Sequence, residues 1–157
     1  MGTVAASVSL VNPVGAPMPR ATLGLVVQAF RRAWPRARGA AVTVALVDRA
    51  ESRRLNRVAR GRNAPTDVLS FPAGDEPHWP QPPHRWLGEV VICYPIAVRQ
   101  AREFGHSVRR EVVELLAHGL AHLAGFDHKT PKAAQAMAAL ETKIVTAVFQ
   151  GLASRGG

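Results

Sequence analysis

The chain has one cysteine, Cys93, in 157 residues, so a disulfide within the chain is excluded. No apolar run approaches the length of a membrane span, which sets aside the transmembrane classes and any membrane partner. The N-terminus lacks a basic stretch followed by an apolar one, so no export signal is expected and the expected compartment is the cytoplasm. Acidic residues are scarce: 11 Asp and Glu stand against 20 Lys and Arg, for a formal net charge of +9. That balance favours a polyanion as partner. An Arg-rich, Ala-rich chain also follows from genome composition, and composition alone does not separate the two. Hydrophobic residues make up 47%, which excludes general disorder, and the length suits one domain (residues 1–157) with a substantial core.

The most informative segment is HGLAHLAGFDH, which holds His118, His122 and His128, three of the six histidines. His118 and His122 are spaced i, i+4, so on a helix both imidazoles project from one face. Gly125 can take a positive φ and end the helix, letting the chain turn back with His128. Three converging imidazoles make a zinc site with its fourth position open, the arrangement of a catalytic site. One ion per chain is expected, and nickel or another first-row metal suits the same ligands. From Val112 to Ala124 the only hydrogen-bonding side chains are Glu114, His118 and His122, at i, i+4, i+8. A helix apolar nearly all round is buried, and its polar stripe then needs partners. Glu114, one turn before His118, is expected to accept that residue's second N–H. Asp127 is either a similar outer partner with catalytic use or a simple turn cap. Zinc peptidases with a helical His pair carry their general base right after the first His. Gly119 stands there, so peptide hydrolysis by that route is not expected.

Around this segment the chain reads as α+β, a small mixed sheet packed with about five helices, the metal-bearing helix central and largely buried. Strands are predicted at Val4–Val11, Ala41–Val47, Asp67–Phe71 and Glu89–Cys93. Helices are predicted over Thr22–Trp34, Arg49–Val58 (capped by Asp48), from Pro95 to about Phe104, and from a Ser107 cap through the histidines. The last helix is predicted over Pro131–Leu152, with Met137, Leu140, Ile144 and Val148 inward and residues 153–157 as a frayed tail. The proline-dense stretch AGDEPHWPQPPHRW is a surface loop whose His78 and His84 should face solvent.

A second constellation lies in RRLNRVARGRNAPTDVLSFP, where Arg53, Arg54, Arg57, Arg60 and Arg62 crowd a helix end. Complementing the helix dipole explains one or two cations there. Five in so short a stretch form a phosphate-facing patch, for which guanidinium is well shaped. Thr66 and Asp67 at the next strand's entrance are turn formers or line a cleft.

Taken with LGEVVIC (Leu87–Cys93), these segments resemble the YbeY family, zinc-dependent endoribonucleases of bacteria. The likeness runs in order from about Leu55 to His128, and the last helix with Met137 and Glu141 fits as well. Two positions depart: Ala121 stands where the family usually has Leu, and Glu89 where Asp is common. The resemblance implies metal ligands at His118, His122 and His128 and a functional arginine at Arg60. It implies maturation of the 3′ end of small-subunit ribosomal RNA and ribosome quality control. The implied partners are single-stranded or ribosomal RNA, ribosomal proteins and the small ribosomal subunit. On this reading Arg60 neutralises transition-state charge, and Arg53, Arg54, Arg57 and Arg62 hold the RNA backbone. Two rival readings stay open: a non-catalytic assembly factor with structural zinc, and a zinc hydrolase of a small anionic substrate.

Overall fold

Ala41–Val47 is buried at every position, so this strand must be covered on both faces. It forms the middle of a four-stranded sheet in a computed structural model that describes residues 8–81 and 85–156. In chain order the elements are β1 (Val8–Val11), α1 (Arg20–Ala33), a short 3-10 turn (Pro35–Ala37), β2 (Ala41–Val47), α2 (Arg49–Arg60), β3 (Val68–Pro72), β4 (Trp86–Cys93), α3 (Tyr94–Phe104), α4 (Val108–Leu123) and α5 (Pro131–Gly156). The sheet order is β1-β2-β4-β3. β2 runs parallel to both β1 and β4, and β3 runs antiparallel to β4. The α+β class and the mixed sheet are as expected. α1 and α2 fall between strands because parallel neighbours need a crossover connection.

One sheet face carries Val42, Val44, Val90 and Ile92 into a core with Leu23, Phe30, Leu116, Leu120, Met137 and Ile144 from α1, α4 and α5. The opposite face buries Ala45, Leu69, Phe71 and Val91 against Leu55 of α2. α4 is central: it touches β3, β4, α1, α3 and α5. Its start is set by Ser107, whose hydroxyl accepts from the Arg110 N–H at 3.1 Å. Asp48 caps α2 in the same way through the Glu51 N–H at 2.9 Å. Cys93 is 1% exposed, a small apolar filler, and burial pushes its thiol up.

Several expectations need correction. The last helix continues to Gly156, so residues 153–156 are helical and not a tail. No helix breaker follows Leu152 until Gly156, Leu152 packs against the core, and the Ser154 hydroxyl donates to the Gln150 carbonyl at 3.1 Å. β4 begins at Trp86, three residues before the expected Glu89. Residues 4–7 of the first predicted strand and His84 lie outside the described residues. His78 belongs to the surface loop, yet its ring turns inward. Its side chain is 24% exposed, and Nδ1 lies 2.7 Å from the carboxylate of Glu89, which is 0% exposed. Glu89 also accepts from the N–H groups of His78 and Trp79 at 2.9 and 3.1 Å. A buried carboxylate needs such donors, so Glu89 fastens the proline-rich loop over the sheet.

Gly119 decides how closely α4 approaches the sheet. A Cβ at this position would lie 2.5 Å from Cγ1 of Val90 and 3.2 Å from Oγ of Ser70. The Ser70 hydroxyl donates to the Gly119 carbonyl at 2.9 Å. The residue after the first helical histidine therefore faces the sheet with no room for a side chain, which is the physical reason that a glutamate base is absent. Val90 is fully buried and stiff at χ1, so it yields little room. Gly119→Ala should destabilise the fold by about 1–3 kcal/mol despite the better helix propensity of Ala. Urea unfolding checks this, and wild-type stability would contradict the close packing.

Candidate metal centre

α4 presents His118 and His122, both half-buried, to a cleft that the head of β3 also lines. Ala124, in helical conformation, is followed by Gly125 at φ 95°, a value that L side chains rarely adopt. The Gly125 N–H donates to the His122 carbonyl at 2.9 Å and the Phe126 N–H to the Ala121 carbonyl at 3.0 Å. This turn folds the chain back and brings His128 to the helical pair. One ring nitrogen from each of the three histidines lies within 4.8 Å of the others.

The hydrogen bonds set the tautomers. His122 Nδ1 is 3.1 Å from the Phe126 carbonyl oxygen, an acceptor only, so this nitrogen carries the proton. His118 Nδ1 is 3.2 Å from the Glu141 carboxylate, which likewise accepts. Both Nε2 atoms then present lone pairs, and they face each other at 3.2 Å. Two lone pairs so close repel unless a cation sits between them. Imidazole nitrogens bound at 2.0–2.1 Å to a tetrahedral ion lie roughly 3.3–3.4 Å apart. The donor set thus fits a divalent ion. Burial first, and then the neighbouring His118, lower the pKa of His122 and favour the neutral form that binds metal.

The histidines form one wall of a cleft of about 250 Å³, which Arg60, Thr66, Asp67 and Ser70 also line. Arg60 is the last residue of α2, and Gly61 ends that helix in the left-handed conformation. The adjoining loop is bolted to α2. The Ser52 hydroxyl donates to the Thr66 carbonyl at 2.8 Å and accepts from its N–H at 2.9 Å. The Asn56 amide donates to the Ala64 carbonyl at 2.8 Å. Ser52 and Asn56 are both buried, so a rigid platform carries Arg60 to the cleft. Asp67 is fixed as well: Oδ1 accepts from the Val68 N–H at 2.7 Å and Oδ2 from the Gln100 amide at 3.2 Å.

The carboxylate beside His118 is Glu141 of α5, not Glu114 as the sequence suggested. Helix side chains lean toward the N-terminus, which carries Glu114 away from His118 and back to Arg110. Its Oε2 accepts from Arg110 Nε at 2.9 Å and lies 3.6 Å from His106 Nδ1. Asp127 does not line the cleft. Its Oδ1 accepts from the Lys129 N–H at 3.0 Å, the turn-capping role. Arg53, Arg54, Arg57 and Arg62 are all exposed, and none lines the cleft. Arg54 is committed to Glu51, with contacts of 2.6 and 3.0 Å. Glu141 carried a readable signal: it lies four residues after Met137 and three before Ile144, an acid within the inward stripe of α5. Ser70 offered none, being one hydroxyl in an apolar strand.

The profile of the family described as Endoribonuclease YbeY matches residues 19–148. An Endoribonuclease YbeY of Moorella thermoacetica is 44% identical over 141 residues, covering 87% of this chain and 90% of that protein. One from Myxococcus xanthus is 49% identical over 107 residues, 68% of this chain. The matched stretch spans 36% of the Myxococcus protein, so this chain corresponds to about a third of that relative's length. A protein of Thermotoga maritima solved in solution superposes with a TM-score of 0.62 at 29% identity, covering 94% of this chain and 93% of its own.

His122→Ala should lose most bound metal, since two imidazoles rarely retain zinc in a three-His site. Glu141→Ala should weaken the metal roughly ten- to a hundredfold, the usual scale for losing an outer partner. Elemental analysis and chelator competition check both, and undiminished metal in His122→Ala would remove the triad.

Proposed function

The chain belongs to the Endoribonuclease YbeY family, and on that premise we propose that its cleft hydrolyses RNA phosphodiesters with zinc as the resident ion. The substrate we propose is ribosomal RNA near the 3′ end of the small-subunit species, presented on the small ribosomal subunit with its proteins, in maturation and quality control. One observation carries this reading: the three imidazoles and the guanidinium of Arg60 line the same small cleft.

His118, His122 and His128 would hold the ion, which when bound supplies Lewis acidity, lowering the pKa of a water and polarising a phosphoryl oxygen. Glu141 and the Phe126 carbonyl keep the protons of His118 and His122 on Nδ1, so that both Nε2 atoms remain donors to metal. Arg60 offers a planar fork of N–H donors to the non-bridging phosphate oxygens, where negative charge grows in the transition state. It does so from the end of a helix to which the adjoining loop is bolted, so little ordering is needed when substrate arrives. Asp67 and Thr66 give the opposite wall polar groups for water or a ribose hydroxyl. Arg57 and Arg62, exposed and close to Arg60 in the chain, would extend the positive field toward the strand backbone.

Arg60→Ala should keep its metal and cleave RNA roughly a hundredfold more slowly or worse, the scale for one lost transition-state partner. A wild-type rate with weaker RNA binding would reduce Arg60 to a phosphate contact. Replacing Arg57 or Arg62 by Ala should lower the slope of log affinity against log salt by about 0.7 unit each for single-stranded RNA. Arg54→Ala should change it less, because Glu51 already holds that guanidinium. Equal slopes in all three variants and the wild type would show that these arginines only solvate the surface.

A further inference from the structure

The positive charge is not spread evenly along the chain. Residues 1–47 hold Arg20, Arg31, Arg32, Arg36 and Arg38 and not one Asp or Glu. Residues 142–157 hold Lys143 and Arg155 and again no acid. These two segments together carry seven cations and no acid. The remaining thirteen cations face all eleven acids, so seven of the nine net charges sit in the two segments. The fold joins them, because α1 packs along α5.

Between the two helices runs an open groove of about 300 Å³ that shares no residue with the catalytic cleft. Arg32, Lys143 and Arg155 rim it, Gln28 adds an amide, and Ala29 and Ala147 belong to its apolar lining. Lys143, Ala147, Gly151 and Arg155 follow at every fourth residue, one stripe of about 18 Å along the axis of α5. The small side chains at 147 and 151 open the groove, and the cations stand at the two ends of the stripe. Arg32, Lys143 and Arg155 are exposed, and among the described residues no carboxylate pairs with any of them. Unpaired cations along a groove match a ligand whose negative charges recur along its length. A solvated face would ordinarily intersperse acids, as the rest of this surface does.

We propose that the α1–α5 groove is a second RNA-backbone site, holding phosphates of the same substrate at a distance from the cleft. The inference rests on the RNA reading of the cleft. The site would contribute affinity without base reading, because it offers cations and small aliphatic side chains but no array of base-edge partners. An RNA engaged at both places would be tethered through the second while its scissile bond seats in the first.

The test uses the metal-loaded full chain, its R32A/K143A/R155A variant, and a single-stranded RNA oligonucleotide in filter binding across a salt series. The variant should keep wild-type metal content, bind at least tenfold more weakly in low salt, and show a salt slope smaller by about two units. Hydrogen exchange on the wild-type protein gives a readout free of folding effects: RNA should slow exchange in the last turns of α1 and α5. Wild-type affinity and slope in the variant, with no protection of these helices, would overturn the groove while leaving cleavage at the cleft intact. Protection of the same helices by an acidic peptide but not by RNA would also overturn it and assign the face to a protein. A wild-type protein that neither binds nor cleaves RNA would instead sink the reading of the cleft.

Discussion

The two Nε2 lone pairs of His118 and His122, 3.2 Å apart on a buried helix, are the constraint around which the rest is arranged. Such a contact is unfavourable in an uncharged protein, and three features hold it in place. The Phe126 carbonyl and the Glu141 carboxylate fix both rings by their other nitrogens. The turn at Gly125 returns His128 to the same point. Gly119 lets α4 lie directly against Val90 and Ser70, which sets the helix's position on the sheet. A divalent cation would convert the repulsion into ligation, and its binding energy would then add to the stability of the fold.

The division of labour follows from where rigidity and charge lie. α4 and the turn after it supply the three imidazoles that could hold a metal, and α2 with its bolted loop supplies Arg60. The absence of a glutamate after the first helical histidine, read in the sequence as the loss of a peptidase base, has its cause in packing. That position has no space for a carboxylate, and the polar groups that face the histidines across the cleft come from α2 and the head of β3. An arginine there suits an anionic substrate, in keeping with a family of endoribonucleases. For the polyanion expected from composition the structure offers two surfaces of different character, a tight cleft and a groove lined by cations without acids.

Much of this was legible in the sequence because it depends on local rules. The i, i+4 histidines, the Gly turn, the caps Asp48 and Ser107, and the apolar β2 each need only nearby residues to be recognised. The α+β class followed from the same patterns. What escaped depends on distance in the chain. Glu141 reaches His118 from 23 residues away, and sequence reasoning instead chose Glu114, a neighbour on the same helix that leans the wrong way. His78 turned inward because Glu89, eleven residues later, lies buried beneath it. The end of α5 was set too early because the closing glycines suggested fraying, while Leu152 anchors the last turns. The acid-free face was visible as composition only, since its two halves lie at opposite ends of the chain and meet through helix packing.

The central claim is that one ion at this triad, acting with Arg60, performs the cleavage. The most direct measurement is RNA cleavage by chelator-stripped protein titrated with zinc, with bound metal counted at each step. The account predicts no cleavage in the stripped protein and a rise that saturates at about one ion per chain. Undiminished cleavage by protein that holds almost no metal would contradict it.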